Sequence, residues 1–288
     1  MRNNINKCLL TFDVEEWFQV ENLKGAIYKE DWDSKNSSVV KNTEKILNIL
    51  SLHSIKATFF VLGWIAEKNP ELVRKIKNSG HEIASHGYGH DLTYKLSDEE
   101  LNKDLSYSKK ILEEIISGPV LGYRAPSFSV DDRVIKILMQ LGYKYDSSFN
   151  PFKLNKRYGS ITLPMKQVNN IYQIENNFFE IPVSSLSINS TQIPIGGGAY
   201  FRLFPAAIFN YLVKKKICQD GFYSMYLHPW EFEPEQPRIK NIKLNYKIRH
   251  YTGLSKTAPK LETLILSLKN QDCSFLTISE YLQTITKI

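Results

Sequence analysis

Cysteine is scarce in this 288-residue chain: Cys8, Cys218 and Cys273 are far apart, odd in number and form no CxxC pair. A disulfide framework and a cysteine-ligated zinc are both excluded by that spacing. Long apolar runs are also missing, since the longest, from Ala57 to Ala66, falls well short of the roughly 20 residues that span a bilayer. The opening stretch, Met1 to Lys7, is polar and lacks the apolar core of a secretion signal, so a cytoplasmic protein is expected. Repeats and low-complexity tracts are absent. Neither sign of charge dominates: 37 basic against 30 acidic residues leave +7, and the basic ones are scattered, the densest being Lys214 to Lys216. Nucleic acid is therefore not an expected partner, and the surplus suits weak attraction to an anionic glycan or a nearby membrane surface. What the chain does have is 42% hydrophobic and 12% aromatic residues, ample for a large core.

The first half alternates between two periodicities. Strand-like runs cover 8–15, 56–62, 81–85, 122–125 and 143–146. Helical patterns cover 39–52, 70–80, 97–116 and 131–141. Pro70 opens one helix and Gly80 closes it, and Ser97-Asp98-Glu99-Glu100 has the form of a capping box. This βαβα rhythm predicts an α/β fold with a parallel sheet, open or closed into a barrel. The rhythm breaks over 150–204, where prolines and Gly196-Gly197-Gly198 interrupt short strand-like pieces, and an irregular insertion at one end of the sheet is expected. The triple glycine has no strand–GxGxxG–helix context, so no dinucleotide site is expected. A helix over 205–217, a strand over 223–227, a helix over 260–268 and a strand over 274–278 then complete one domain of 1–288.

Polar residues gather where the strands end, the edge at which α/β folds keep their active sites. Asp13 and Glu15 point to one side of an extended segment and Val14 to the other. Two converging carboxylates suit a bound cation, and equally a solvated strand exit. His86 and His90, four apart, would share one face of a helical turn and could bind one metal, although HxxxH also occurs by chance. His81 is expected to be structural. Arg124, before Pro126, is either a simple ion-pair partner or the group that tunes a site carboxylate, with Asp146 at the next strand end a candidate partner. His228 ends an apolar strand, where a lone histidine is either satisfied structure or part of the site.

Together these segments resemble the NodB-like polysaccharide deacetylases of carbohydrate esterase family four, in order and over nearly the whole chain. The matching blocks are Thr11-Phe12-Asp13, Ser85 to His90, Arg124-Ala125-Pro126, Asp146-Ser147-Ser148 and Leu227-His228. Asp13 to Phe18, Gly197 to Arg202 and Tyr226 to Phe232 resemble a subgroup associated with exopolysaccharide and surface-glycan assembly. The implied fold is a distorted (β/α) barrel. The family's second aspartate is replaced by Val14, which shifts the expected metal ligand to Glu15, with Glu16 as the alternative if the strand bends.

The resemblance implies a divalent metal, zinc first, on Glu15, His86 and His90. Asp13 would be the general base held by Arg124, and His228 the acid that protonates the leaving amine. Asp146 would fix Arg124 or His228. A backbone N–H of Ser127 would meet the oxyanion, Leu227 and Trp230 would line the acyl pocket or a sugar platform, and Arg202 would contact an anion. The expected substrate is an N-acetylated glycan or a carrier-linked precursor. A hydrolase of other linear amides, such as a deformylase, and an inactive glycan-binding module are the rivals.

Overall fold

A computed structural model describes residues 6–151, 158–175, 177–189 and 191–286. The first strand, β1 (Lys7–Val14), is buried along nearly its whole length. Such continuous burial is expected of a strand with parallel neighbours and both faces covered. The next elements are α1 (Val39–Leu52), β2 (Thr58–Val61), α2 (Gly63–Lys68), α3 (Pro70–Asn78), β3 (Glu82–Ser85) and α4 (Asp98–Ile116). Then come β4 (Gly122–Tyr123), α5 (Asp132–Gln140) and β5 (Tyr145–Asp146). The capping box at Ser97 is formed in full, its hydroxyl accepting from Glu100 N–H while the Glu100 carboxylate accepts from Ser97 N–H.

The stretch 150–204 is more than an insertion. It holds β6 (Lys166–Val168), β7 (Ile171–Glu175), β8 (Phe178–Glu180), the hairpin β9 (Ser185–Ile188) and β10 (Thr191–Pro194), and α6 (Gly198–Leu203). Strand β8 pairs in parallel with β5 and so extends the main sheet. With three residues it is too short for its periodicity to be recognised in the sequence. The expected irregular insertion also spans residues 152–157, 176 and 190, which lie outside the described residues.

Helix α7 (Ala206–Asp220), β11 (Phe222–Leu227), α8 (Leu244–Tyr251), α9 (Thr257–Lys269), β12 (Ser274–Phe275) and α10 (Ile278–Thr286) finish the chain. The sheet order is β11-β1-β2-β3-β4-β5-β8-β7-β6, parallel as far as β8. The chain leaving β8 crosses to β11, where Ser184 N–H donates to Ser224 O at 3.1 Å, and Tyr226 N–H donates to Gly196 O at 2.8 Å. These bonds bring the far end of the sheet round to β11 and give a distorted barrel.

Two expected elements differ. The final strand stops at Phe275 because Thr277 and Glu280 form a second capping box that starts α10. The apolar run 57–66 divides at Leu62 into β2 and α2, a break hidden by uniform hydrophobicity.

Candidate active site

Parallel register sets the site. Phe12 lies opposite Leu227, Asp13 opposite Phe60, Val61 opposite Ser85, Ser85 opposite Tyr123 and Tyr123 opposite Asp146. Asp13, Glu15, His86, Arg124, Ser147 and His228 therefore all leave the sheet within a rung or two of the same edge.

Asp13 is buried with Arg124, whose Nη1 donates to its Oδ1 at 2.7 Å. The guanidinium is held on every side. It donates to Thr11 Oγ1 at 2.7 Å, to Ser147 O at 2.9 Å and to Ser147 Oγ at 2.8 Å, and it lies 4.1 Å from the Phe60 ring centroid. A buried arginine fixed in this way sets the orientation of Asp13 through a charge-assisted hydrogen bond.

Val14 packs into the main core and Glu15 returns to the site side. Glu15 Oε1 accepts from Trp230 Nε1 at 3.1 Å, while Oε2 faces His86 Nε2 at 3.8 Å and contacts His90 Nε2 more closely. Burial would raise its pKa, but His90, His228 and His86 outweigh that and hold it well below the usual carboxylate value. Glu16 goes elsewhere. It accepts from Ser37 Oγ and from the Ser38 and Val39 N–H groups, at 2.5, 2.8 and 2.9 Å, and so caps the start of α1.

His86 and His90 meet through a loop and not through the expected helical turn. Gly87 has φ 72° and His90 φ 53°, so the chain doubles back in left-handed conformations. Asp104 on α4 clamps this loop by accepting from Tyr88 N–H at 2.8 Å and Gly89 N–H at 2.9 Å. A Cβ at Gly87 would stand 2.7 Å from Asp104 Oδ2, a second reason for glycine there. His86 Nδ1 lies 2.8 Å from Arg124 O, which accepts its N–H and leaves the Nε2 lone pair facing Glu15.

Ligand atoms of Glu15, His86 and His90 lie within 4.8 Å of one another. Glu15 Oε2 and His86 Nε2 are buried with no hydrogen-bond partner. Orphaned acceptors of this kind are costly without a cation between them, so the donor set fits a divalent metal with two imidazoles and one carboxylate.

His228 lies on the other side of the carboxylates, its Nε2 3.9 Å from Asp13 Oδ2 and 3.6 Å from Glu15 Oε1. Its Nδ1 donates to Glu231 Oε1 at 2.6 Å. Burial would lower its pKa, but Glu15, Glu231 and Asp13 raise it to about 9 while no cation neutralises Glu15. Glu231 is fixed in turn by Arg202 Nε at 2.6 Å, and a Cβ at Gly198 would stand 2.1 Å from Glu231 Oε1. The Trp230 indole stacks on His228 at 5.1 Å and on His250 at 4.5 Å.

Three sequence expectations change position or role, and Ser127 keeps its place. Arg202 lines the cleft, but its guanidinium is taken up by Glu231 and by the carbonyls of Arg249, His250 and Thr252, so it positions Glu231. Leu227 sits in the main core opposite Phe12 and does not line the cleft, because its side chain alternates to the far face from Tyr226. Asp146 bonds neither Arg124 nor His228. It accepts from Ser148 Oγ at 2.6 Å, and Ser148 Oγ accepts from Ala125 N–H at 2.8 Å. Asp146 thus holds the strand exit whose Ser147 grips Arg124. Its buried neighbour Glu180 has a pKa raised by burial and by the Asp146 charge. Ser127 lines the cleft in a left-handed conformation with φ 54°, followed by Phe128 with φ 59°, and among the described residues no hydrogen bond uses its N–H.

Glu231, Ser147, Thr11 and Asp104 were not singled out as site residues in the sequence. Glu231 had a signal, three residues after His228 within the same motif; the others depend on cross-strand neighbours.

Residues 6–145 match the polysaccharide deacetylase family model, and residues 147–283 match a domain of unknown function, DUF3473. Residues 6–145 thus carry a NodB-type polysaccharide deacetylase domain. The chain is 34% identical over 102 residues to a peptidoglycan-N-acetylglucosamine deacetylase of Bacillus cereus, covering 35% of this chain and 47% of that protein. It is 29% identical over 121 residues to a peptidoglycan-N-acetylmuramic acid deacetylase of Bacillus subtilis, covering 41% and 46%. These alignments span about half the length of either relative.

Among solved structures, a family 4 carbohydrate esterase from Streptomyces lividans in complex with acetate superposes with TM-score 0.53 at 14% identity, over 93% of this chain and 91% of that one. A family 4 pseudoenzyme from Bacillus anthracis superposes with TM-score 0.55 at 20% identity, over 97% and 66%. Both share the fold.

Proposed function

We propose that this protein hydrolyses the N-acetyl amide of an amino sugar in a glycan or glycan precursor, with a divalent metal, zinc first, held by Glu15, His86 and His90. The observation that carries this reading is the convergence, in one cleft, of an arginine-held carboxylate, a carboxylate–bis-imidazole set with orphaned ligand atoms, and a carboxylate-held histidine.

When bound, the metal would polarise the amide oxygen and acidify a water. Asp13, kept anionic by Arg124, takes the proton of the attacking water. The Ser127 N–H, on the cleft wall, is the donor for the oxyanion that develops on the acyl oxygen. His228 gives its Nε2 proton to the sugar nitrogen, which leaves poorly as an anion, and Glu231 stabilises the imidazolium through Nδ1. Trp230 holds the second oxygen of Glu15 and shields the site from water.

One similar structure belongs to a pseudoenzyme, so a non-catalytic glycan-binding role is the second reading. The simultaneous presence of a base, a ligand set and an acid favours catalysis. The test measures acetate released by zinc-loaded protein from N-acetylglucosamine oligomers and from nucleotide- or lipid-linked N-acetylhexosamine. Release that depends on metal and on Asp13 supports hydrolysis. Sugar binding without release under any metal overturns it in favour of the binding module.

A further inference from the structure

Arg249, on α8, lines the same cleft as Asp13, Glu15 and His228 yet has no part in the chemistry above. Its guanidinium lies 5.7 Å from the Tyr200 ring centroid and 3.5 Å from Tyr158 Oη. The other charges around the cleft are matched. Asp13 pairs with Arg124, Glu231 with Arg202, and Glu21 on the cleft wall with Lys24 at 3.0 Å, while Glu15 faces the two imidazoles of the proposed metal set. Among the described residues no carboxylate forms an ion pair with Arg249.

The chain around it deepens the imbalance. Between Glu235 and Glu262 there is no acidic residue, while Arg238, Lys240, Lys243, Lys247 and Lys256 accompany Arg249. Arg238, Lys240, Lys243 and Lys256 are exposed, so the segment that carries Arg249 bears a surplus of positive charge. A half-buried guanidinium beside tyrosine hydroxyls, with no protein anion to face, is a poor arrangement for stability and a good one for gripping an oxyanion. Its planar fork suits either phosphate or carboxylate.

Given the deacetylase reading, we propose that Arg249 is a specificity-determining residue that pairs with an oxyanionic group, phosphate or carboxylate, borne by the substrate next to the N-acyl sugar. The substrate is then an anionic glycan unit and not a neutral chain of N-acetylglucosamine.

The experiment compares zinc-loaded wild type, Arg249→Gln and Arg249→Lys on three substrates, with thermal melts confirming that all three proteins fold. The substrates are neutral chitotetraose, a nucleoside diphosphate N-acetylglucosamine, and an oligosaccharide in which N-acetylglucosamine adjoins a uronic acid. Wild type is expected to favour one anionic substrate by about 10- to 100-fold in kcat/KM, the scale of a hydrogen bond to a charged group. Arg249→Gln should erase that preference through KM with little change in kcat, and Arg249→Lys should restore part of it. Preference for the diphosphate identifies phosphate, and preference for the uronate identifies carboxylate. Equal kcat/KM on neutral and anionic substrates, or an equal loss on all three in Arg249→Gln, overturns the proposal. Calorimetric binding of the same two anionic compounds separates the two readings. If no substrate releases acetate but one compound binds and Arg249→Gln abolishes that binding, hydrolysis is refuted and the anion site stands. If neither binds, the anion site is refuted.

Discussion

Asp13 and Glu15 stand two residues apart at one strand exit, yet their oxygens answer to different partners: Arg124 Nη1 holds Asp13 at 2.7 Å, while Trp230 Nε1 holds Glu15 at 3.1 Å. The arginine ties one carboxylate down as a hydrogen-bonded anion. The indole takes only one oxygen of the other and leaves the second, buried and unpartnered, facing two imidazoles. The surroundings of these two carboxylates therefore suit Asp13 to the proposed role of base and Glu15 to that of ligand.

The ligand assignment is testable at Glu15 and Glu16. Glu15→Gln, His86→Ala and His90→Ala should each strip stoichiometric metal, measured by elemental analysis of dialysed protein. Glu16→Gln should keep the metal and lower the melting temperature, because it weakens the cap on α1, a change worth about 1 kcal/mol. Metal loss in Glu16→Gln alone would reverse the assignment.

Asp13→Asn should retain the metal and the fold while kcat drops by about 10²–10⁴-fold, the usual contribution of a general base. Arg124→Met should behave differently. It leaves a buried carboxylate unpaired, and breaking such a pair costs about 3–5 kcal/mol of stability. A denaturant titration showing Arg124→Met as stable as wild type would mean that Asp13 finds another partner.

His228→Ala should slow amide cleavage far more than cleavage of an activated acetyl ester, whose leaving group needs no proton. Glu231→Gln should give a weaker version of the same split, since Glu231 acts only through His228 Nδ1. Equal losses on amide and ester, in steady-state kinetics on both, would remove His228 from the acid role.

His81 and His250 should each withdraw stability on acidification. Burial, with help from Lys56, lowers the pKa of His81 to about 4, and burial with Arg202 lowers that of His250 to about 3. Unfolded histidines titrate near 6.5, so between roughly pH 6.5 and 4 the unfolded chain binds protons that the folded chain does not. The contribution of these two histidines to the free energy of unfolding therefore decreases as pH falls through that window. His81→Phe, which keeps the ring contact with Phe59, should make the decline shallower in urea melts across the window. An unchanged slope would show that His81 is protonated in the folded state.

Periodicity and end signals in the sequence determined the alternating elements of the first half, down to α1 at 39–52 and the capping box at Ser97. These depend on residues a few positions apart, which is why they can be read locally. Motif order likewise named Asp13, His86, His90, Arg124 and His228, because parallel strands send every exit to one edge.

What only the tertiary structure decided depends on neighbours remote in sequence. Glu16 is drawn to the start of α1, and Glu15 is held beside His86 and His90 by Trp230, 215 residues away. Arg202 becomes the clamp on Glu231, Leu227 turns into the core, and Asp146 is drawn to Ser148 and Glu180. Arg249 is left without an anion. Each of these outcomes is a choice among partners of similar chemistry, and such choices are settled by distance and burial, which exist only once the chain has folded.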